Sequence, residues 1–210
     1  LGDSDKDTES VAEYLDCRDS ALSRFSTKHV VVGDGSANNI GYEIDLKGGY
    51  SATVVAGNGY VLGRDDQAEN VDKDNEESIA MLIQGTDDFS FLVTGDLTGN
   101  NFSDEDALVE TVLANALEEE GIEVSVLRAG HHGSATASSE DFLSTLNPLL
   151  SLISVGDNSY GHPNCDSLNN LHAYSEHVIQ TGEGSTEDAC AVLQNSWIAD
   201  DHILISVMDT

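Results

Sequence analysis

The alternation of apolar and polar residues along the chain predicts a mixed α/β fold. Short apolar runs bounded by turn residues are typical of strands, and apolar residues recurring every three or four positions are typical of helices. Strands are predicted at residues 29–32, 42–46, 51–56, 60–62, 78–84, 89–94, 122–127, 149–155, 178–180, 189–193 and 203–208. Helices are predicted at residues 10–22, 103–120, 138–146 and 168–175. Gly57-Asn58-Gly59 predicts a hairpin turn, because Asn and Gly adopt positive φ at low cost.

Polar clusters follow three of the predicted strands. Asp96 comes after strand 89–94, His131-His132-Gly133-Ser134 after strand 122–127, and Tyr160-Gly161-His162-Pro163 after strand 149–155. Parallel and mixed sheets bind ligands in the crevice at the carboxyl ends of their strands. Carboxylate and imidazole groups together suit zinc, manganese or iron. The sequence therefore predicts a metal site at this edge of the sheet.

These clusters, with Asn75-x-x-Ser78 ahead of them and Gly156-x-Asn158 before Tyr160, resemble the metallo-β-lactamase-fold domain of the ComEC family of DNA-internalisation (competence) proteins. The resemblance covers roughly residues 75 to 180. It implies a metallo-β-lactamase-like αββα sandwich, and we expect one such domain over residues 1–210 because the length suits a single core. It also implies a metal-dependent hydrolase that acts as a nuclease on the DNA strand that is not taken up.

The resemblance assigns roles to individual residues. Asp96 would bridge two metals, with His131 and His162 as further ligands of one or two zinc or manganese ions. We favour His131 slightly over His132, and the second imidazole would orient substrate or act as a general acid. A metal-bound hydroxide would then cleave a phosphodiester. Substrate contacts are expected from Asn75, Ser78, Ser134, Asn158 and Tyr160, although Asn75 and Ser78 are equally suited to holding their own loop.

One departure from the family pattern bears on activity. Metallo-β-lactamase folds carry an early His-x-His-x-Asp-His run, and this chain has none. We expect that the chain is a fragment beginning after that run, the alternative being a relative that has lost half of its site. A non-catalytic binding module therefore stays open, as does a hydrolase of small esters or lactams. The remaining histidines are expected to be structural: His29, His172, His177 and His202.

Charge changes the expected partners. The chain has 39 acidic and 8 basic residues, a net charge of −31, and no Lys or Arg after Arg128. Such self-repulsion is screened in molar salt, where the Debye length is about 3 Å. We therefore predict a halophilic protein, the alternative being an acidic face for a basic partner. The charge excludes a basic nucleic-acid groove, so contacts with DNA would use metal ions, backbone N–H groups, and hydroxyl or amide side chains.

Three cysteines without a Cys-x-x-Cys pair exclude a zinc knuckle or redox motif. Cys165 and Cys190 would bridge in an oxidising compartment and leave Cys17 free, but three unpaired thiols fit the spacing equally well. No apolar run reaches the roughly 20 residues of a membrane span. The resemblance suggests an extracellular or cell-surface location, and a cytoplasmic location in a halophile stays open.

Overall fold

A computed structural model describes residues 9–24, 28–68, 71, 75–86, 88–99, 109–185, 190, 197–199 and 203. The strands are β1 (Glu43–Lys47), β2 (Tyr50–Gly57), β3 (Tyr60–Val61), β4 (Ala80–Gln84), β5 (Ser90–Val93), β6 (Val126–Arg128), β7 (Leu150–Ile153), β8 (His177–Gln180) and β9 (Trp197–Ile198). The helices are α1 (Glu9–Arg24), α2 (Val109–Glu119), α3 (Glu140–Leu146) and α4 (Cys165–Tyr174). None of the helices in these ranges combines the length and apolar character that crossing a membrane requires.

One mixed sheet organises the described residues. Its strands run in the order β1-β2-β4-β5-β6-β7-β8-β9, with β3 paired to the end of β2. The pairs from β1 to β5 are antiparallel, and those from β5 to β9 are parallel. In the parallel half, Val93 pairs with Arg128 and Arg128 pairs with Leu152, so the carboxyl ends of three strands lie level. The loops that leave β5, β6 and β7 therefore begin side by side.

The helices are built as the apolar pattern predicts. The buried face of α2 carries Val109, Leu113 and Leu117, spaced four residues apart as on one side of a helix. Ser139 caps α3 by accepting the Phe142 N–H, which satisfies one free amide of its first turn. Contacts of α2 with α3, of α3 with α4, and of α4 with β8 join these helices to the sheet. The core therefore lies between these helices and the sheet, and it includes Ala56 and Leu82 of the antiparallel strands as well as Leu127 and Ile153 of the parallel ones.

The structure confirms the mixed α/β class and the Gly57–Gly59 hairpin, in which Asn58 has φ 50° and Gly59 has φ 73°. The two-sheet sandwich implied by the resemblance stays a prediction, because the described residues form one sheet. Helix 168–175 begins three residues earlier than predicted, at Cys165, because Asn164 caps it by accepting the Asp166 N–H.

Other predictions were wrong or fall elsewhere. Residues 29–32 are not a strand: Val32 packs against Gly57 of the hairpin, and Val31 is half-exposed. Of the strand predicted at 122–127, only the end lies in β6, because the Ile122 N–H bonds the Leu117 carbonyl of the preceding helix. The start of helix 103–120 lies outside the described residues, as do strands 189–193 and 203–208 apart from residues 190 and 203.

Candidate active site

Asp96 lies in the turn after β5, at the carboxyl edge of the sheet. Gly95 has φ 59°, a left-handed conformation that glycine adopts without strain. The Asp96 N–H donates to Ser78 Oγ at 3.1 Å, and the Gly95 carbonyl accepts the His131 N–H at 3.1 Å. Ser78 was predicted to contact substrate, whereas here its hydroxyl fixes the turn that carries the carboxylate.

The paired histidines lie in a tight 3-10 turn, Gly130–Gly133. His131 has φ 44° and His132 has φ 55°, values that are uncommon for residues with a side chain. A Cβ on Gly130 would lie 2.6 Å from the Leu97 carbonyl, and one on Gly133 would lie 2.7 Å from Pro163. The turn is thus wedged between the Asp96 turn and the Pro163 loop.

The His132 ring is oriented by a backbone carbonyl. Its Nδ1 lies 2.6 Å from the Ser154 carbonyl oxygen, which can only accept a hydrogen bond. Arg128 Nη2, which can only donate, lies 3.4 Å from the same Nδ1. Because the carbonyl contact is much shorter, we assign the proton of the neutral ring to Nδ1, which leaves the lone pair on Nε2. That Nε2 lies 3.6 Å from Asp96 Oδ1. Two lone-pair donors consequently face each other.

His131 and His162 form the other half of the site. Their ring centroids are 5.3 Å apart, and the Asn75 amide nitrogen is 3.4 Å from both ring nitrogens of His131. Burial lowers the pKa of each imidazole; for His162 the neighbouring histidines lower it further, while Asp96 opposes the shift in both. Both rings are thus biased towards the neutral form, which can bind a metal or accept a proton.

Arg128, the last residue of β6, was not predicted to be in the site. Its guanidinium donates through Nη1 to the Gly95 carbonyl and lies 3.8 Å from Asp96 Oδ1. The side chain is 16% exposed, and burial lowers its pKa while Asp96 raises it. The guanidinium stays charged in proteins, so it is a built-in counter-ion for the Asp96 carboxylate.

Glu110 is a second missed residue. It is fully buried in the first turn of α2, and its carboxylate accepts the Ser138 N–H at 2.8 Å and the Ser139 N–H at 3.4 Å. Burial raises the pKa of Glu110 to about 8, against the lowering effect of these two hydrogen bonds. A Cβ on Gly130 would lie 2.8 Å from Glu110 Oε1, so the carboxylate supports the histidine turn from below.

The residues that were predicted to contact substrate differ in how far they are exposed at the site. Asn158 Oδ1 accepts the N–H groups of Tyr160 and His162, and its amide donates to the Gly156 and His162 carbonyls, so this side chain holds its own loop together. Ser134 is buried; its hydroxyl contacts the Thr136 hydroxyl at 3.1 Å, and its backbone N–H donates to the His131 carbonyl, so the substrate contact expected of it stays a prediction. Tyr160 is 80% exposed beside His162.

The loop that carries His162 is fastened from behind. The Ser185 N–H donates to the His162 carbonyl at 2.8 Å, and the Ser185 hydroxyl bonds the Asn158 carbonyl. Cys165 and Cys190 form a disulfide with a Cα separation of 5.5 Å, and Cys17 is free and exposed. The structure thus selects the bridged alternative of the two that the sequence left open.

The other described histidines do not join this cluster. His172 and His177 lie with Glu176, Val178 and Trp197 around a separate cavity of about 180 Å³, at the opposite end of β8 from the site edge. His29 is exposed, and His202 lies outside the described residues. Among the described Asp, Glu, His and Cys side chains, no group of three or more lies where it could hold a metal ion.

Fold and site together define a mixed α/β protein with a carboxylate and three imidazoles at the carboxyl ends of adjacent strands. The chain is 32% identical to ComE operon protein 3 of Bacillus subtilis over 113 residues, or 53% of this chain and 13% of that protein. It is 33% identical to Recombination protein 2 of Haemophilus influenzae over 109 residues, or 51% of this chain and 12% of that protein. It is 30% identical to Competence protein ComA of Neisseria gonorrhoeae over 119 residues, or 56% of this chain and 16% of that protein.

These three proteins are distant relatives, and the matches take up about half of this chain. The chain spans only 12 to 16% of their lengths. No family model matches the chain, and no solved structure matches it significantly. The predicted resemblance to competence proteins is confirmed at this level.

Proposed function

We propose that this chain is a metal-dependent phosphodiesterase domain of metallo-β-lactamase type with a role in DNA uptake. The observation that carries the proposal is the pair of facing donors, His132 Nε2 and Asp96 Oδ1 at 3.6 Å. The order of Asp96, the paired histidines and His162 at successive strand ends supports the fold type. The names of two relatives, a competence protein and a recombination protein, support a substrate of DNA.

The donor pair fits a divalent cation. Zinc binds imidazole nitrogen and carboxylate oxygen at about 2.0 to 2.2 Å, so two ligands at a tetrahedral angle are about 3.4 Å apart. The His132 Nδ1–H bond to a backbone carbonyl is the second contact that metal-binding histidines make. Within the described residues, His162 Nδ1 is a buried ring nitrogen without a hydrogen-bond partner. No hydrogen bond from the protein would therefore compete with a metal ion for this nitrogen.

Asp96 and His132 would therefore anchor the cation, with His131 or His162 completing the ligand set. This proposal favours His132 over His131 as a metal ligand, whereas the sequence analysis slightly favoured His131. When bound, the cation would lower the pKa of a coordinated water and neutralise charge on a phosphoryl oxygen.

The remaining groups of the site have separate tasks. The His131 or His162 ring that does not bind metal would, being neutral, accept a proton and return it to the leaving oxygen. The Arg128 guanidinium, 3.8 Å from Asp96 Oδ1, would hold the Asp96 carboxylate in place. The disulfide supports a location facing an oxidising compartment, on the outside of the cell.

A binding module without catalysis is the second candidate. The absence of a complete ligand set among the described residues favours it. In that case Asp96 and the histidines would serve recognition alone. The two candidates differ in turnover.

The test measures bound metal and phosphodiester hydrolysis on the same samples. The protein is loaded with Mn²⁺ or Zn²⁺ in molar KCl, freed of excess ion, and compared with Asp96→Asn, His132→Ala and His177→Ala. The last is a matched control, since His177 lies at the far end of β8. We expect metal and hydrolysis in the wild type and control, and loss of both in the two site variants. Equal metal content in all four proteins would contradict the assignment, and metal without hydrolysis would favour the binding module.

A further inference from the structure

The tyrosine at the mouth of the site presents a flat ring to solvent. Tyr160 is 80% exposed, and its ring stacks on His162 with centroids 5.9 Å apart and planes 22° from parallel. The His162 ring in turn lies 5.3 Å from that of His131. Three rings therefore lead from the surface to the carboxylate and imidazole cluster, and the outermost has one face open.

The backbone beneath this ring is held in place. The Tyr160 N–H donates to Asn158 Oδ1 at 3.0 Å, and the Asn158 amide bonds the His162 carbonyl at 2.8 Å. Ser185 bonds both Asn158 and His162 from the neighbouring segment. A ring on a fixed backbone loses little conformational freedom when a ligand stacks on it. The exposed face is thus prepared for binding before any ligand arrives.

Charge makes this face important. A chain of net charge −31 repels phosphates, and Arg128, the basic residue that the structure places in the site, is only 16% exposed and already engaged by Gly95 and Asp96. Without a bound metal ion, affinity for nucleic acid must then come from a contact that does not depend on ionic attraction. Stacking of a base on an aromatic side chain is such a contact, worth about 1 to 3 kcal/mol per base and indifferent to sequence.

We propose that Tyr160 is the recognition residue of this site, and that it stacks on one exposed nucleobase next to the bond to be cleaved. This role for Tyr160 rests on the proposed function, and it adds the contact that gives the site its affinity for nucleic acid. It requires a base that is free of its own stack, because bases inside a duplex have no open face. It also requires that binding depend weakly on salt, since few phosphate charges are neutralised.

The test compares Tyr160→Leu, which removes the aromatic face, with Tyr160→Phe, which keeps it. Trp197→Leu is the matched control, because Trp197 is also an exposed aromatic residue, at 67%, but lies at the far end of the sheet. Binding of a fluorescently labelled oligothymidine is measured by anisotropy without metal, at several KCl concentrations. KM and kcat for its hydrolysis are measured with Mn²⁺.

We expect Tyr160→Leu to raise Kd and KM by about 5- to 150-fold, the equivalent of 1 to 3 kcal/mol, with kcat nearly unchanged. Tyr160→Phe and Trp197→Leu should stay within about twofold of the wild type. The logarithm of the binding constant should fall with that of salt concentration by less than the slope of about −0.7 expected for a single phosphate contact. An oligonucleotide with abasic sites in place of bases should bind the wild type as weakly as Tyr160→Leu binds the intact strand.

Unchanged binding by Tyr160→Leu, a steep salt slope, or an equal loss in Trp197→Leu would overturn the inference. A wild-type protein that does not bind the oligonucleotide would overturn it as well. Failure of the proposed hydrolysis is a separate outcome: binding that weakens only in Tyr160→Leu, without turnover by the metal-loaded wild type, would keep the stacking contact and refute the enzyme.

Discussion

The buried carboxylate of Glu110 makes the free energy of unfolding depend on pH, and replacing this one residue separates its contribution from that of the other ionisable groups. Glu110 has no exposed surface, and burial raises its pKa from 4.5 to about 8. The unfolded chain releases this proton near pH 4.5, whereas the folded protein keeps it until about pH 8. Between these values the folded state binds more protons, so the free energy of unfolding falls as pH rises. The stability is complete below pH 4.5 and is lost as pH passes through 8.

The size of the effect follows from the two pKa values. A rise from 4.5 to about 8 corresponds to roughly 5 kcal/mol of unfolding free energy, an upper value because local opening to water relieves part of it. Glu110→Gln keeps an oxygen acceptor for the Ser138 and Ser139 N–H groups but cannot ionise. We expect the variant to approach or fall below wild-type stability near pH 5 and to exceed it by a few kcal/mol near pH 8.5.

The assay is urea unfolding followed by circular dichroism from pH 5 to 8.5 in constant molar KCl. The difference between Glu110→Gln and the wild type at each pH cancels the groups that both proteins share. Glu118→Gln, an exposed site on the same helix, is the control for the loss of one charge from α2 and should change the unfolding free energy little. A Glu110→Gln difference that is flat across this range would refute the reasoning, since Glu110 would then ionise alike in folded and unfolded chains.

Two further predictions concern the disulfide and the charge. Replacing Cys165 and Cys190 by Ser removes a bridge with a sequence separation of 25 residues, and it should lower the unfolding free energy by about 3 to 4 kcal/mol in urea titrations. The control Cys17→Ser should change the unfolding free energy little, because this cysteine is free. Equal effects of the two changes would contradict the bridge. We propose that the chain, with its net charge of −31, is halophilic. Raising KCl from about 0.1 to 1 M shortens the Debye length from about 10 to 3 Å and should therefore raise the urea midpoint of unfolding. A midpoint independent of salt would contradict this proposal.

The sequence alone predicted which residues lie together at the centre of the site, because each of them follows an apolar run. Asp96, the paired histidines and His162 each come after a strand, and parallel pairing of those strands brings them together. The local pattern could not predict the left-handed backbone of His131 and His132, because that conformation depends on packing of the turn against Leu97 and Pro163.

Other residues were missed because their contacts are distant in sequence. Arg128, at the end of β6, contacts Gly95 and Asp96 in the turn after the neighbouring strand β5, and no sequence motif records this contact. Glu110 had a usable signal, since it precedes Leu113 and Leu117 by three and seven positions and so shares their buried face. The run at residues 29–32 has the composition of a strand, but it packs over the hairpin at Gly57, where the adjacent sheet positions are already paired.

The link between the Asp96 turn and the histidine turn is a hydrogen bond between backbone atoms, from the His131 N–H to the Gly95 carbonyl. Substitution of the side chains that we propose to bind a cation leaves such a bond in place. The geometry of the crevice can therefore outlast the chemistry performed in it. A relative with this fold that lost the proposed hydrolysis would keep the two turns in register, so that a few side-chain changes would restore the site without new loops.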